Sequence, residues 1–255
     1  MMCSMPMSES PWIAYAKPNG EASLRLFCFP HAGGGAGAYR TWVAALAPEI
    51  EVLPVQLPGR ETRFLERPYE TIEALLDGLM VALRPLLNKP FAFLGHSLGA
   101  LVAFELARRL RSEGLVPEQL FVSGYGAPHL PVQLPPMHHL DDSQFAAALQ
   151  ELDTVPTAVL ENEELLGLLL PMLRADFAVY ERYKFQAGPP LDCPIVMLGG
   201  ESDPLVSPEM LAAWTEHSVA LGQMHLFPGD HFYLQGQETA VLRVIAQTCL
   251  AQQLS

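Results

Sequence analysis

Apolar residues along this chain fall into two alternating rhythms. Short runs over Ser23–Phe29, Glu51–Val55, Phe91–Leu94, Gln119–Ser123, Pro194–Leu198 and Gln223–Phe227 have the length and boundaries of strands. Between them lie stretches whose apolar residues recur at helical spacing: Tyr39–Ala47, Thr71–Leu87, Leu98–Arg111, Pro208–His217 and Glu238–Ala251. Thr71 is placed to cap the second of these. Strands alternating with helices predict an α/β fold with a mostly parallel sheet covered on both faces.

The rhythm breaks once, over residues 127–190. Pro128, Pro131, Pro135, Pro136 and Pro156 interrupt the first part of this stretch. Ser143–Leu152 and Glu163–Tyr183 then predict helices, with Ser143 and Asn162 as caps. The chain divides accordingly into a first core part (12–126), a helical insertion (127–190) and a second core part (191–255), after a loose tail at 1–11. Ligands of parallel sheets bind beyond the carboxyl ends of the strands. The insertion is therefore expected to form a lid over that edge, with a purely packing subdomain as the alternative.

Composition narrows the function classes. The 255 residues are half hydrophobic and only 17% charged, which supports a large core and argues against disorder. A formal net charge of −13 excludes the basic footprint that nucleic acid requires. Cys3, Cys28, Cys193 and Cys249 are widely spaced and form no zinc or redox motif. Cys28 and Cys193 sit in apolar runs, as buried free thiols in a reducing cytosol would. The N-terminus lacks the features of a signal peptide, and no apolar run reaches the length of a membrane span. A cytoplasmic monomer is the expectation.

The candidate chemistry centres on Gly95-His96-Ser97-Leu98-Gly99 in Phe91–Ala100, a strand, a tight turn and a helix start. G-x-S-x-G at a strand-to-helix turn exposes a serine as nucleophile; the bland reading is a serine that merely caps the helix. A serine at neutral pH needs a base and a group to orient that base, here in the order Ser, acid, His. Of eight histidines, His31 and His96 lie before or beside Ser97, His129, His138 and His139 lie in the insertion, and His225 lies within a strand. His217 ends a helix and is expected to be solvated. His231, in Pro228-Gly229-Asp230-His231-Phe232, sits in a loop at the carboxyl edge and is the expected base. Asp203, in the loop after Pro194–Leu198, is the expected acid. Asp230 is too near His231 in the chain, Asp192 lies at the wrong strand end, and Glu201 is the nearest substitute. The glycine-rich loop His31–Gly37 lacks the Lys of a P-loop and the register of a dinucleotide fingerprint. It suits an oxyanion hole instead, with backbone N–H groups from Ala32 and Leu98.

Six segments together carry a family resemblance: Pro30–Gly35, Tyr39-Arg40-x-Trp42, Gln56–Glu61 (QLPGRE), Gly95–Gly99, Leu173–Asp176 (LRAD) and Gly229–Phe232. In this order, from about Leu24 to Leu250, the chain resembles the type II thioesterases, stand-alone editing enzymes of nonribosomal peptide and polyketide synthases. The resemblance implies an α/β-hydrolase fold with a helical lid. It implies hydrolysis of acyl or aminoacyl thioesters on the phosphopantetheine arm of carrier proteins, without metal or redox cofactor. The family's triad falls on Ser97, Asp203 and His231. One departure stands out: Tyr125-Gly126 occupies a loop where relatives often carry basic residues, which bears on substrate entry or preference. Leu165–Leu170 are candidates to line an acyl chamber, although most are expected in the core. Arg60, Arg63 and Arg67 form a candidate basic patch for carrier docking, or an ordinary solvated loop face. The competing readings are a chain-releasing thioesterase, a general carboxylesterase and a non-catalytic hydrolase-fold binding protein.

Overall fold

The computed structural model describes residues 10–131, 134–152, 155 and 157–251. Cys3, most of the expected tail and Pro156 lie outside the described residues. Strands β1 (Leu24–Phe29), β2 (Ile50–Pro54), β3 (Phe91–His96), β4 (Gln119–Ser123), β5 (Ile195–Gly200) and β6 (Met224–Phe227) form one sheet. Its order is β2-β1-β3-β4-β5-β6, and every neighbouring pair is parallel. Each expected run is a strand. β3 and β5 extend two residues further than expected, into Gly95-His96 and Gly199-Gly200, because the neighbouring strands still offer partners there: Gly95 pairs with Phe29 and Val122, and Gly200 with Phe227.

Successive side chains enter opposite cores, as the strand period of two requires. Phe27 and Phe93 join Leu101, Phe104 and Trp214 on one face, while Leu26 and Leu94 join Trp42, Phe121 and Ile245 on the other. Burying each large apolar side chain contributes about 1.5–3 kcal/mol before entropy. Double-sided burial of β1 to β5 is what forces the helical cover on both faces.

The helices follow local signals with informative exceptions. The expected helix at Tyr39–Ala47 is a 3-10 turn over Ala36–Tyr39 and one turn of α1 (Trp42–Ala45). Pro48 disfavours helical backbone at Ala47 and so stops it early. In α2 (Ile72–Leu83), Thr71 accepts from Ala74 N–H at 3.4 Å, as its cap position predicts. The helix tightens to a 3-10 turn at Arg84–Leu86, where Pro85 interrupts its bonding. α3 (Leu98–Arg111) sets Arg108, Arg109 and Arg111 in its last turn, at the negative end of its dipole.

Between β4 and β5 lie α4 (Asp142–Glu151), α5 (Thr157–Leu160) and α6 (Glu163–Arg182). Asp141, not Ser143, caps α4 and accepts from Gln144 N–H at 2.8 Å. Asn162 caps α6 as expected, accepting from Leu165 N–H at 3.0 Å. These helices share a third apolar cluster around Phe145, Leu149, Leu170, Leu173 and Phe177. α7 (Pro208–Ala212) passes into a 3-10 turn at Ala213–His217, α8 (Tyr233–Gly236) is one turn, and α9 (Glu238–Ala251) matches its expected span. No described helix is long and apolar enough to cross a membrane.

β1 lies between β2 and β3, so the connections leaving β1 and β3 diverge to opposite sides. That divergence opens a crevice at the carboxyl edge. The glycine-rich loop after β1 and the Ser97 turn after β3 both lie there.

Candidate active site

Ser97 has φ 53° and ψ −121°, a strained conformation for a residue with a side chain. Its neighbours enforce it. A Cβ at Gly95 would overlap the Gly99 carbonyl, and one at Gly99 would overlap the Phe29 carbonyl. The two glycines thus let β1, β3 and α3 meet around the turn. Ser97 N–H donates to Ser123 O at 2.8 Å. The Ser97 side chain makes no cap hydrogen bond to α3, so the capping reading does not hold.

The loop after β1 is fixed from outside the sheet. Gly33 N–H donates to Asp176 Oδ2 at 2.7 Å. Asp176, on α6, forms a two-pronged pair with Arg60, at 2.8 Å and 2.7 Å, and both side chains are about 95% buried. Arg60 also donates to Gly34 O at 2.9 Å. Three of the segments that carry the resemblance, the glycine loop, QLPGRE and LRAD, therefore converge on one junction. Ala32, just before Gly33, and Leu98, at the start of α3, both line the adjoining cavity. Neither backbone N–H has an acceptor among the described residues.

Asp203 and His231 come from loops after β5 and β6. A Cβ at Gly200 would overlap Asp230 O, which shows how closely the two loops run. His231 Nδ1–H donates to Asp203 Oδ2 at 2.8 Å. The other oxygen, Oδ1, accepts from Leu205 N–H at 2.8 Å and Val206 N–H at 3.2 Å. The carboxylate is 1% exposed, so its partners hold it in one orientation. Asp230 instead closes its own turn, accepting from Phe232 N–H at 2.8 Å, and both Glu201 and Asp192 are exposed. Among these acids only Asp203 reaches His231.

Two more histidines crowd this one. The His31 and His96 ring centroids lie 5.7 Å apart, and those of His96 and His231 5.1 Å apart. His96 Nδ1 bonds the Ser123 hydroxyl at 2.8 Å, which bonds the Tyr233 hydroxyl at 2.6 Å. Burial first, then the nearby His231, pushes His31 down to about 4 and His96 well below its ordinary value. Both stay neutral in the folded protein at neutral pH. Since the unfolded chain binds a proton at each below pH 6.5 and the folded chain refuses it, stability falls as pH falls. For His31 the loss runs from about pH 6.5 to about pH 4, at up to about 1.4 kcal/mol per pH unit. His31→Gln is expected to flatten that slope, measured as urea midpoints at pH 7, 6 and 5. Parallel curves for the two proteins would reject the assignment.

The expectation that His217 is solvated is incorrect. It is buried against Phe104, Trp214 and Phe185, and it bonds His129 at 2.7 Å. The 3-10 turn rotates it inward, where a continued α-helix was expected. His225 lies on the edge strand β6, as expected.

Ser97, His231, Ala32 and Leu98 open onto one cavity of about 290 Å³. Its apolar walls come from both sides: Leu130, Phe177 and Tyr180 from the segment between β4 and β5, and Leu205, Val206 and Met210 from the loop holding Asp203 and from α7. Leu165–Leu170 do not line it. Leu165 and Leu168 are exposed, and Leu170 packs into the α4–α6 cluster. The wall comes from later turns of α6, at Phe177 and Tyr180. Tyr125 and Gly126 both line the cavity, and Tyr125 O accepts from Trp214 Nε1–H at 2.7 Å. A Cβ at Gly126 would sit 2.9 Å from Met210 Cε, so a long basic side chain there would displace Met210.

The expected patch of Arg60, Arg63 and Arg67 does not form. Arg60 is in the buried pair with Asp176. Arg63 is 7% exposed, bound to Glu66 and Gln56 O, with its guanidinium 4.2 Å from the centre of the Trp12 ring. Arg67 alone of the three is exposed, and it pairs with Glu70. Spacing in a loop did not reveal that two of these cations are internal ties.

Residues 24–249 match the family model described as thioesterase domain. The linear gramicidin dehydrogenase LgrE of Brevibacillus parabrevis is 46% identical, over 95% of this chain and 94% of that protein. Thioesterase PikA5 of Streptomyces venezuelae is 39% identical, over 89% of this chain and 81% of its own length. The solved structure of the type II thioesterase BorB from the borrelidin biosynthetic cluster superposes with a TM-score of 0.85 at 42% identity, covering 93% of this chain and 97% of that one. With its parallel sheet, its strained serine turn and these matches over nearly its whole length, the chain belongs to the thioesterase family, among the type II thioesterases of α/β-hydrolase fold.

Proposed function

We propose that this thioesterase clears aberrant acyl or aminoacyl groups from the phosphopantetheine arms of synthase carrier domains, using Ser97, His231 and Asp203. The observation that carries the reading is the 2.8 Å contact of His231 Nδ1 with a fully partnered Asp203, beside the cavity onto which Ser97 opens. Asp203 sets the tautomer of His231, leaving Nε2 free to accept a proton. His231 takes the Ser97 proton as Oγ bonds to the thioester carbonyl carbon. The oxyanion so formed accepts hydrogen bonds from Ala32 and Leu98 N–H. The C–S bond then breaks, and His231 returns the proton to the departing thiol. Water attacks the acyl-enzyme ester, gives a proton to His231 and releases the acid, and Ser97 recovers its proton. This route calls on no metal or redox group.

The resemblance to biosynthetic thioesterases, together with the apolar walls, supports acyl groups on carrier domains as substrates. A cytosolic setting fits the buried free thiols of Cys28, Cys193 and Cys249. The dehydrogenase named for one relative would need a dinucleotide site. In this chain the glycine-loop N–H groups of Gly33 and Gly37 already donate to Asp176 and Glu61, and the Glu61 carboxylate fills the space beside Gly35. Those N–H groups are therefore already engaged where a pyrophosphate would need them.

Hydrolysis of carrier domains loaded with acetyl, propionyl and long mature acyl groups, beside a free ester, tests the reading. Clearance of the short acyl carriers ahead of the ester is expected. A preference for long mature chains would make the enzyme a chain releaser, and faster ester cleavage a carboxylesterase.

A further inference from the structure

Among the described residues lining the cavity, Lys184 is the one lysine or arginine, and no aspartate or glutamate lines it. Lys184 is exposed while still lining the cavity, which puts this residue at the mouth. It has no ion-pair or hydrogen-bond partner among the described residues, whereas the cations nearest in sequence and space are committed. Arg182 pairs with Glu70, and Arg108 pairs with Glu105 and donates to Gln186 O.

The backbone around Lys184 is pinned on both sides. α6 ends at Arg182, and Tyr183 turns extended, with φ −58° and ψ 136°. Side chains then alternate, Tyr183 and Phe185 half-buried, Lys184 and Gln186 exposed. The Tyr183 hydroxyl donates to Glu105 Oε1 at 2.6 Å. Arg108 lies 5.5 Å from the centre of the Phe185 ring and donates to Gln186 O at 2.6 Å. A free ammonium on a fixed stretch of chain, at the rim of a cavity that no aspartate or glutamate lines, is a point-charge receptor for an anion that remains at the mouth.

The substrate proposed above has such an anion, and the assignment rests on that reading. An acyl-phosphopantetheine arm enters thioester first and trails a phosphodiester. The chain's net charge of −13 opposes an anionic partner at long range, so a local cation has most effect where that phosphate comes to rest. We propose that Lys184 binds the phosphate of the phosphopantetheine arm at the cavity mouth, and so distinguishes arm-borne thioesters from simple ones.

Three substrates carrying the same acyl group provide the test: the N-acetylcysteamine thioester, which lacks phosphate, acyl-phosphopantetheine, and the acyl-loaded carrier domain. Lys184→Gln is expected to raise KM about tenfold for the two phosphate-bearing substrates, with kcat unchanged, and to leave the N-acetylcysteamine thioester unaffected. Lys184→Arg, which keeps the charge, should hold KM near the parent value, and the parent's advantage should shrink as salt rises. An equal rise in KM for all three substrates would mean that Lys184 only shapes the mouth. Unchanged KM for both phosphate-bearing substrates would overturn the assignment as well. Failure of the carrier reading itself is visible in the unaltered enzyme, as a loaded carrier left intact; the lysine comparison then still runs on acyl-phosphopantetheine.

Discussion

With Ser97 replaced by alanine, hydrolysis of an acyl-carrier thioester falls at least about ten-thousand-fold while the protein remains folded. Both halves of this expectation come from the geometry. The Ser97 hydroxyl makes no capping bond to α3, so its removal costs the helix no cap. Alanine meets the same backbone strain at φ 53° that serine already meets, so the turn changes little in energy. What disappears is the atom that forms the acyl bond in the proposed mechanism. Single-turnover hydrolysis with loaded carrier gives the rate, and thermal unfolding of the same sample establishes that the fold is intact. Substantial turnover by a folded Ser97→Ala protein would remove serine catalysis from consideration and return the non-catalytic or water-attack readings. A large fall in unfolding temperature would instead show that the hydroxyl supports the turn.

Much of this site was legible because chain order and loop position carry chemical meaning in a parallel sheet. Ser97, Asp203 and His231 each follow a strand at its carboxyl end, and that rule alone separates Asp203 from Asp192. The spacing of Gly95 and Gly99 around Ser97 reflects a steric demand, now visible as overlaps with Gly99 O and Phe29 O. Side-chain destinations across loops were not legible. Arg60, Arg63 and Arg67 look equivalent in sequence, yet Asp176, 116 residues beyond Arg60, draws one inside, while Trp12 and Gln56 hold another. His217 turned inward because the helix tightened to 3-10 geometry at Ala213, a change of pitch that apolar spacing does not encode. The cavity wall lies on later turns of α6 than the candidates Leu165–Leu170 for a related reason. Leucines at helical spacing report that a face is buried, but not which neighbour buries it.

The same long-range pairing gives the second large effect. Asp176→Ala is expected to destabilise the protein by about 3–5 kcal/mol, because the Arg60 guanidinium, 5% exposed, is left buried without its counter-charge and Gly33 N–H loses its acceptor. Urea unfolding measures this loss. Stability alone would not distinguish a structural tie from one that also positions the oxyanion donors, and a second variant does. Arg60→Met with Asp176→Leu removes both charges and fills the space with apolar groups, which restores most of the stability of such pairs. It does not restore an acceptor for Gly33 N–H, and the Gly33 peptide adjoins Ala32, whose own N–H faces the developing charge in the proposed mechanism. An oxyanion donor that loses its alignment costs up to about a hundredfold in rate. The double variant is therefore expected to regain most of its urea midpoint while kcat stays about ten- to a hundredfold low and KM changes little. Recovery of kcat together with stability would reduce the pair to a staple between α6 and the QLPGRE loop. Persistence of the kcat deficit in a stable protein would place Asp176, on a helix outside the sheet, in control of how the loop after β1 presents its N–H groups to the substrate.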